Sequence, residues 1–339
     1  MLASNCPPID RYSFDFGPFA IAGAPRPSDG VSMGCAPRRT VLDAILVEAA
    51  DRAGAEVRER FTVDEIVIED DAVVGIRGHG PDGKTVLERA RVVVGADGRN
   101  SVVAKAVRPE QYHDKPKLQV AYYTFWSGLP TDGVETVIRP DRGMAAIPTN
   151  DGLTLILVGW PHAEAAAFKA DIEGNYLKTL ELAPELAERV RRATREERFT
   201  GGAVPNFLRK PFGSGWALVG DAGYTKDPIT AQGISDAFRD AELCTAALDQ
   251  TFTGELSFEE AMAAYHSSRD AHVLPMYELT TQFATLEPPP PEMQQLLGAV
   301  AGNPEAMDAF VSVVAGTVSP VEFFDAENVG RLMSLAPAM

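Results

Sequence analysis

Two stretches of this chain end an apolar run on a glycine, follow it with an aspartate and then start a helix. Each has the makings of a nucleotide-cofactor site. In RVVVGADGRNSVVAKAV, Val92, Val93 and Val94 predict a buried strand, Gly95 allows close backbone approach at its end, and Asn100 or Ser101 can cap the following helix. Asp97 can accept a ribose hydroxyl, and Arg99 places a cation where a pyrophosphate could sit. An ordinary tight turn with a surface aspartate is the simpler alternative. In GWALVGDAGYTKDPITAQGISDAFRDAELCTAAL a second buried strand ends at Gly220, and Asp221 follows, a carboxylate able to accept hydrogen bonds from ribityl hydroxyls. Beyond Pro228 the loop TAQG leads into a helix whose free N–H groups and positive dipole end suit a reduced flavin, negative near N1 and O2. Taken alone, Gly220-Asp221 has a plain loop carboxylate as its alternative; the first junction beside it favours the cofactor reading.

A layer of strands and helices must hold these junctions. Residues 1–37 read as short strands and turns, broken by Pro7, Pro8, Pro18, Pro25, Pro27 and Pro37. In RRTVLDAILVEAADRAG the apolar positions Val41, Leu42, Ile45, Leu46, Ala49 and Ala50 repeat at helical spacing, and Gly54 ends the run. From Ala55 the sequence alternates through three or four short strands, with a Pro81-Asp82-Gly83 turn, into the first junction. The runs LQVAYYTFW, VETVIR, GMAAIP and LTLILVGW predict an antiparallel sheet from Leu118 to Trp160. Residues 163–195 look helical, helices dominate after the second junction, and EPPPPE is a stiff linker between helical parts.

The composition narrows the function. With 339 residues and 45% hydrophobic content the chain has room for two domains. Its 48 acidic against 31 basic residues, a net charge of −17, disfavour nucleic acid or anionic lipid as a partner. Cys6, Cys35 and Cys244 form no CxxC pair and lie by no histidine at ligand spacing, so neither a disulfide framework nor a metal site is expected. No stretch reaches the roughly 18 apolar residues of a membrane span, and the start has no signal-peptide pattern, so a cytoplasmic protein is expected. His113, His162, His266 and His272 show no triad or ligand pattern, and no catalytic residue is assigned.

From Arg38 onward the chain resembles the class A flavoprotein monooxygenases of the p-hydroxybenzoate-hydroxylase fold, with the related geranylgeranyl-reductase-like and halogenase-like proteins. GADGRNSVVAK, with Gly95, Asp97, Gly98 and Arg99, looks like that family's DG motif, GDAG with the later Pro and Gly looks like its GD motif, and RRTVLD looks like the helix start whose arginine lies along the flavin. The resemblance implies FAD, with Arg39 touching its ribityl-pyrophosphate region, Asp97 organising the pyrophosphate side, Asp221 on the ribityl chain, and Pro228, Gln232 and Gly233 lining the isoalloxazine. It implies an α/β (α+β) fold with an incomplete Rossmann-like FAD layer, an antiparallel-sheet substrate domain and C-terminal helices. The corresponding boundaries are 1–112 and 201–285 for the FAD-binding parts, 113–200 for the substrate domain and 286–339 for the helical end. By the same resemblance the sheet covers the flavin ring. Tyr122, Tyr123, Trp126 and Pro148 are then its most pocket-like residues, although sheet packing alone explains any of them.

Family members open with a strand, a GxGxxG turn, a helix and an acidic residue. The early glycines Gly17, Gly23, Gly30 and Gly34 sit among prolines and read as no such fingerprint. The expectation is an internal start within a longer reading frame, a genuinely shortened protein being the alternative, and poor FAD binding by this chain alone. The implied activity is NAD(P)H-dependent monooxygenation, with NAD(P)H binding transiently and dioxygen supplying one oxygen to an aromatic or polyketide-like small molecule. A reductase of isoprenoid double bonds carries the same motifs. A halogenase is less favoured because no WxWxxP-type signature occurs, and a remnant without catalysis is the rival from another class.

Overall fold

The computed structural model describes residues 4–334. These form two compact units, each assembled from separated stretches: residues 1–54, 117–203 and 282–339 in one, residues 55–116 and 204–281 in the other. The mixed α/β architecture expected from the sequence is present.

The first unit is built on an eight-stranded sheet. Its strands run in the order Thr194–Arg195, Gln119–Ser127, Leu153–Pro161, Arg142–Pro148, Val134–Arg139, Tyr12–Asp15 and Ala20–Gly23, and Thr200–Gly202 also pairs with Gln119–Ser127. The central four strands are antiparallel, each close to its expected run of alternating residues: the three from Val134 to Pro161 follow one another as a meander, and the last of them pairs with Gln119–Ser127. Alternation turns Val120, Tyr122 and Trp126, with Ile156 and Val158 opposite, to one face, where they pack on Phe168, Tyr176, Leu180, Leu186 and Val190. Each fully buried side chain of this size contributes about 2 kcal/mol relative to exposure. The covering segment, read as one helical region, is three short helices, Ala165–Ala170, Ile172–Leu180 and Pro184–Arg192. Asp171 breaks the first from the second by capping Gly174 N–H at 2.9 Å, and Pro184 starts the third.

The same sheet recruits the chain start: Tyr12–Asp15 pairs in parallel with Val134–Arg139. Phe14 meets Phe310 of the helix Pro304–Ala315 edge to face at 5.5 Å, and Asp308 of that helix accepts the Ala24 N–H at 2.9 Å. The helix Arg39–Arg52 forms as its periodicity requires, but among its residues only Leu42 is buried, and Leu46 and Val47 are exposed.

The second unit holds three small sheets and two long helices. The meander Thr62–Glu69, Ala72–His79, Thr85–Arg89 precedes a parallel pair, Val93–Gly95 beside Trp216–Leu218. Gln111–Lys115 and Tyr224–Thr225 flank Asn206–Arg209 in the third sheet. The helices Gly233–Thr253 and Phe258–Phe283 close the layer, with Phe212, Val219, Cys244, Met262 and Tyr265 in one core and Ile66, Val73, Val103, Trp216 and Leu218 in another. Arg269, wholly buried on the second helix, donates from Nη2 to the Arg209 carbonyl at 3.0 Å and the Tyr112 hydroxyl at 2.6 Å and bonds Asp270, fastening helix to sheet. Among the described residues no helix is long and apolar enough to cross a membrane, and no cluster of three or more His, Cys, Asp or Glu side chains is arranged to hold a metal.

Candidate FAD site

The two junctions meet at the parallel strand pair. Val93, Val94 and Gly95 lie opposite Trp216, Ala217 and Leu218, and the Val219 N–H donates to the Gly95 carbonyl at 3.0 Å, so both strands end at the same level of the sheet. Gly95 is fixed by packing: a Cβ there would come within 2.8 Å of Leu218 Cδ2 and 3.0 Å of Val103 Cβ. Beyond it, Asp97 Oδ2 accepts the Val102 N–H at 2.6 Å and the buried Ser101 caps the helix Val102–Val107 by accepting the Ala104 N–H at 2.9 Å. Asp97 therefore shapes its own loop. Arg99 is exposed, and Gly98, at φ +75°, has open space where a side chain would be.

After the second strand, Gly220 takes φ +55° and turns the chain. Its N–H donates to Asp240 Oδ2 at 2.9 Å, and Asp240 rises from the first helix of the layer to meet it. Asp240 is wholly buried; desolvation pushes its carboxyl up to about 7, against the pull of Arg269 and of the Gly220 N–H. Asp221 itself is exposed beside this support.

The loop that follows is held from three directions. Tyr224 and Thr225 pair with Leu208 and Phe207, and Asn206 Oδ1 accepts the Asp227 N–H at 2.7 Å. Lys226, buried, forms an ion pair with the buried Asp236 of the helix's first turn, whose other oxygen takes Arg239 Nη1 at 2.9 Å. Pro228 begins a short turn ending at Ala231, which sits in the left-handed region at φ +53° and delivers Gln232 and Gly233 to the helix start. Gln232 makes no side-chain cap, and a Cβ on Gly233 would touch nothing within 4 Å. A helix of 21 residues thus opens with amides that no N-cap side chain covers.

Arg209 links the two junctions, a role that no local motif reveals. Its Nη1 donates to the Ala222 carbonyl at 2.9 Å, its own N–H donates to the Gly223 carbonyl at 2.8 Å, and Asp97 is the carboxylate whose charge it feels. Burial lowers the guanidinium below its usual value, and Asp97 acts against that shift. Strand ends, two loop carboxylates, a bridging arginine and an open helix start fit the ribityl, pyrophosphate and ring portions of a flavin dinucleotide.

The remaining expected site residues belong to the first unit. Arg39 is the exposed first residue of its helix and forms a two-point pair with Asp43, at 2.8 and 3.1 Å. Its neighbour Arg38 caps that helix start through the backbone, donating to Asn150 Oδ1 at 2.9 Å, and stacks its guanidinium over Phe125. Tyr122 stacks on Phe168 at 5.3 Å and Trp126 donates to the Tyr176 hydroxyl at 3.2 Å, both within the sheet-to-helix core. Tyr123 and Pro148 are half-buried. His266, without a sequence role, joins Tyr112 at 2.8 Å and Asp270 at 3.3 Å. Burial would raise Asp270, but His266, Arg269 and Tyr112 together hold it at about 2.

These features define a flavin-dinucleotide-binding layer of the p-hydroxybenzoate-hydroxylase-like fold. The chain belongs to the FAD binding domain family, whose model matches residues 29–280. It is similar to the digeranylgeranylglycerophospholipid reductase of Methanosarcina acetivorans, 28% identical over 246 residues, covering 70% of this chain and 58% of that protein. It is also similar to the monooxygenase cfoF of Aspergillus candidus, 26% identical over 245 residues, covering 62% of this chain and 56% of that protein. The structure of the myxobacterial chondrochloren halogenase CndH superposes with a TM-score of 0.78 at 22% identity, over 99% of this chain and 82% of that one. The chain thus spans less than two thirds of the length of both curated relatives.

Proposed function

We propose that this chain serves an NAD(P)H-dependent monooxygenase that hydroxylates an aromatic or polyketide-like small molecule. The observation that carries the flavin site is the pairing of Gly95 with Leu218, which sets Asp97 and Asp221 just beyond adjacent strand ends. Likeness to a monooxygenase at 26% identity supports the choice of reaction. Bound FAD would supply the redox chemistry, taking electrons from a nicotinamide and passing them to dioxygen.

The protein's part is to bind and to stabilise charge. Asp221 accepts ribityl hydroxyls, and Asp97 with Arg209 and Arg99 faces the pyrophosphate side. Arg39 is proposed to reach the same ribityl-pyrophosphate region. Pro228, Gln232 and Gly233 line the ring, where the uncapped amides of the 233–253 helix stabilise negative charge. Tyr123 and Pro148 are the lining candidates that the sheet core leaves half-buried.

Reduction of isoprenoid double bonds is the second reading, favoured by the 28% identity to the archaeal reductase. Three measurements on the protein reconstituted with FAD separate the readings: flavin retained on gel filtration, NADH or NADPH consumed, and the mass change of candidate substrates. A gain of one oxygen atom, with dioxygen required, supports monooxygenation. Gain of two hydrogens under anaerobic conditions replaces it with the reductase reading. Flavin that fails to bind even at saturating FAD overturns both.

A further inference from the structure

Cys6 and Cys35 lie far apart in sequence, in segments that the fold clamps together on both sides of the two thiols. On one side is an antiparallel bridge, in which Ile9 N–H donates to the Gly34 carbonyl and Gly34 N–H to the Ile9 carbonyl, each at 2.8 Å. On the other side stands Asn150, wholly buried, whose Nδ2 donates to the Ser4 carbonyl at 2.6 Å while its Oδ1 accepts the Arg38 N–H at 2.9 Å. Next to it, Thr149 Oγ1 donates to the Ala36 carbonyl at 2.7 Å. Between these clamps Cys6 and Cys35 are brought near enough that each thiol feels the other, with the Ala36 N–H beside the Cys6 sulfur. Cys35 is exposed and Cys6 half-buried, both as free thiols.

We infer that Cys6 and Cys35 are a dithiol pair that hydrogen peroxide closes into a reversible intramolecular disulfide. Thiols on two segments clamped on both sides need only a local approach to reach the bonded S–S separation of about 2 Å. The clamps at Ile9–Gly34 and Asn150 hold the backbones together in the meantime, so partner choice is set by the fold.

The roles divide by exposure. Burial, with the neighbouring Cys35, pushes the Cys6 thiol up and keeps it protonated, so the accessible Cys35 reacts first. Its thiolate attacks one peroxide oxygen: an S–O bond forms, the O–O bond breaks, and the departing hydroxide takes a proton to become water. Cys6 then gives up its proton and attacks the Cys35 sulfur, forming S–S and breaking S–O, and the leaving hydroxide becomes the second water. Two thiols and one peroxide yield one disulfide and two waters, with two electrons passing from sulfur to oxygen. Cys244, the third cysteine, is buried in the other unit's core and takes no part.

The test uses the full chain, reduced and then freed of reductant. It is treated with a small molar excess of hydrogen peroxide, quenched under denaturing conditions with an alkylating agent, and mapped by mass spectrometry. The expected result is a fall from three alkylated cysteines to one, an intact mass lower by about 2 Da before alkylation, and a linked peptide joining Cys6 to Cys35. Dithiothreitol restores all three thiols. In Cys6→Ser, Cys35 should instead accumulate as a sulfenic acid trapped by dimedone, and in Cys35→Ser neither species should form. If peroxide leaves both thiols free, or carries Cys35 to the sulfinic acid, or joins separate chains while Cys6 stays reduced, the pairing is refuted. Because the wild-type chain gives the primary readout, the test does not depend on either variant folding.

Discussion

Asp240→Asn isolates the charge buried beneath the Gly220 turn. Asparagine keeps an acceptor for the Gly220 N–H, now held at 2.9 Å by Asp240 Oδ2, and removes only the ability to ionise. In the folded chain desolvation moves this carboxyl from its ordinary 3.8 to about 7. The unfolded chain therefore loses the proton first as pH rises. The stability tied to the protonated carboxyl is complete below pH 4 and is lost as pH climbs to the folded value near 7. A rise of about three pH units corresponds to about 4 kcal/mol over the whole range, and about 2 kcal/mol of it falls between about pH 5.5 and pH 8.5. Urea denaturation of wild type and Asp240→Asn at matched pH values reads this directly, because all other titrations cancel in the difference. The variant should gain on wild type by about 2 kcal/mol as pH rises across that window. Parallel stability curves would show that Asp240 stays charged in the fold, balanced by Arg269, and that burial does not govern it.

Asp221→Ala should weaken FAD binding by about 1 to 3 kcal/mol, read by flavin fluorescence titration, and an unchanged dissociation constant removes Asp221 from the site. Lys226→Met strips a buried partner from Asp236 and leaves it the partly exposed Arg239 at 2.9 Å. It should cost about 2 to 4 kcal/mol of stability in chemical denaturation. Removing both charges, as Lys226→Met with Asp236→Asn, should recover most of that loss; a double variant as unstable as the single one would point to packing as the cause.

The junctions were legible because their signals are local: an apolar run, a glycine, an aspartate and a helix start lie within a few residues of each other. Their side-by-side pairing follows from the same pattern, and Gly95 opposite Leu218 realises it. The antiparallel sheet was equally plain, since alternation over 119–127 and 153–161 turns one set of residues to the helices. What stayed hidden depends on distant partners. No periodicity indicates that Tyr12–Asp15 pairs with Val134–Arg139, which places the first 54 residues in the sheet unit. On the 233–253 helix the usual pattern is inverted: Asp236 and Asp240 face inward while Ile234 and Phe238 are exposed. Lys226 and Arg239 beside Asp236, and the Gly220 N–H and Arg269 beside Asp240, make those buried acids tolerable. Arg209 escaped notice because its importance lies in the carbonyl of Ala222 and the charge of Asp97, neither adjacent to it in sequence.

The interleaving of the two units has a consequence for how the protein is made. The stretch 55–116 finds its partners only when 204–281 has been synthesised, and the strands at 12–15 and 20–23 wait for the helices beyond 304. A growing chain that has emerged to about residue 200 contains the complete 119–161 antiparallel strand set but lacks the closing segment of each unit. Contacts of such long sequence separation form slowly and leave strand edges open in the interval. Expression at low temperature with slow translation, or with a holdase chaperone present, should therefore raise the soluble yield by shielding these half-built sheets until the last segments arrive.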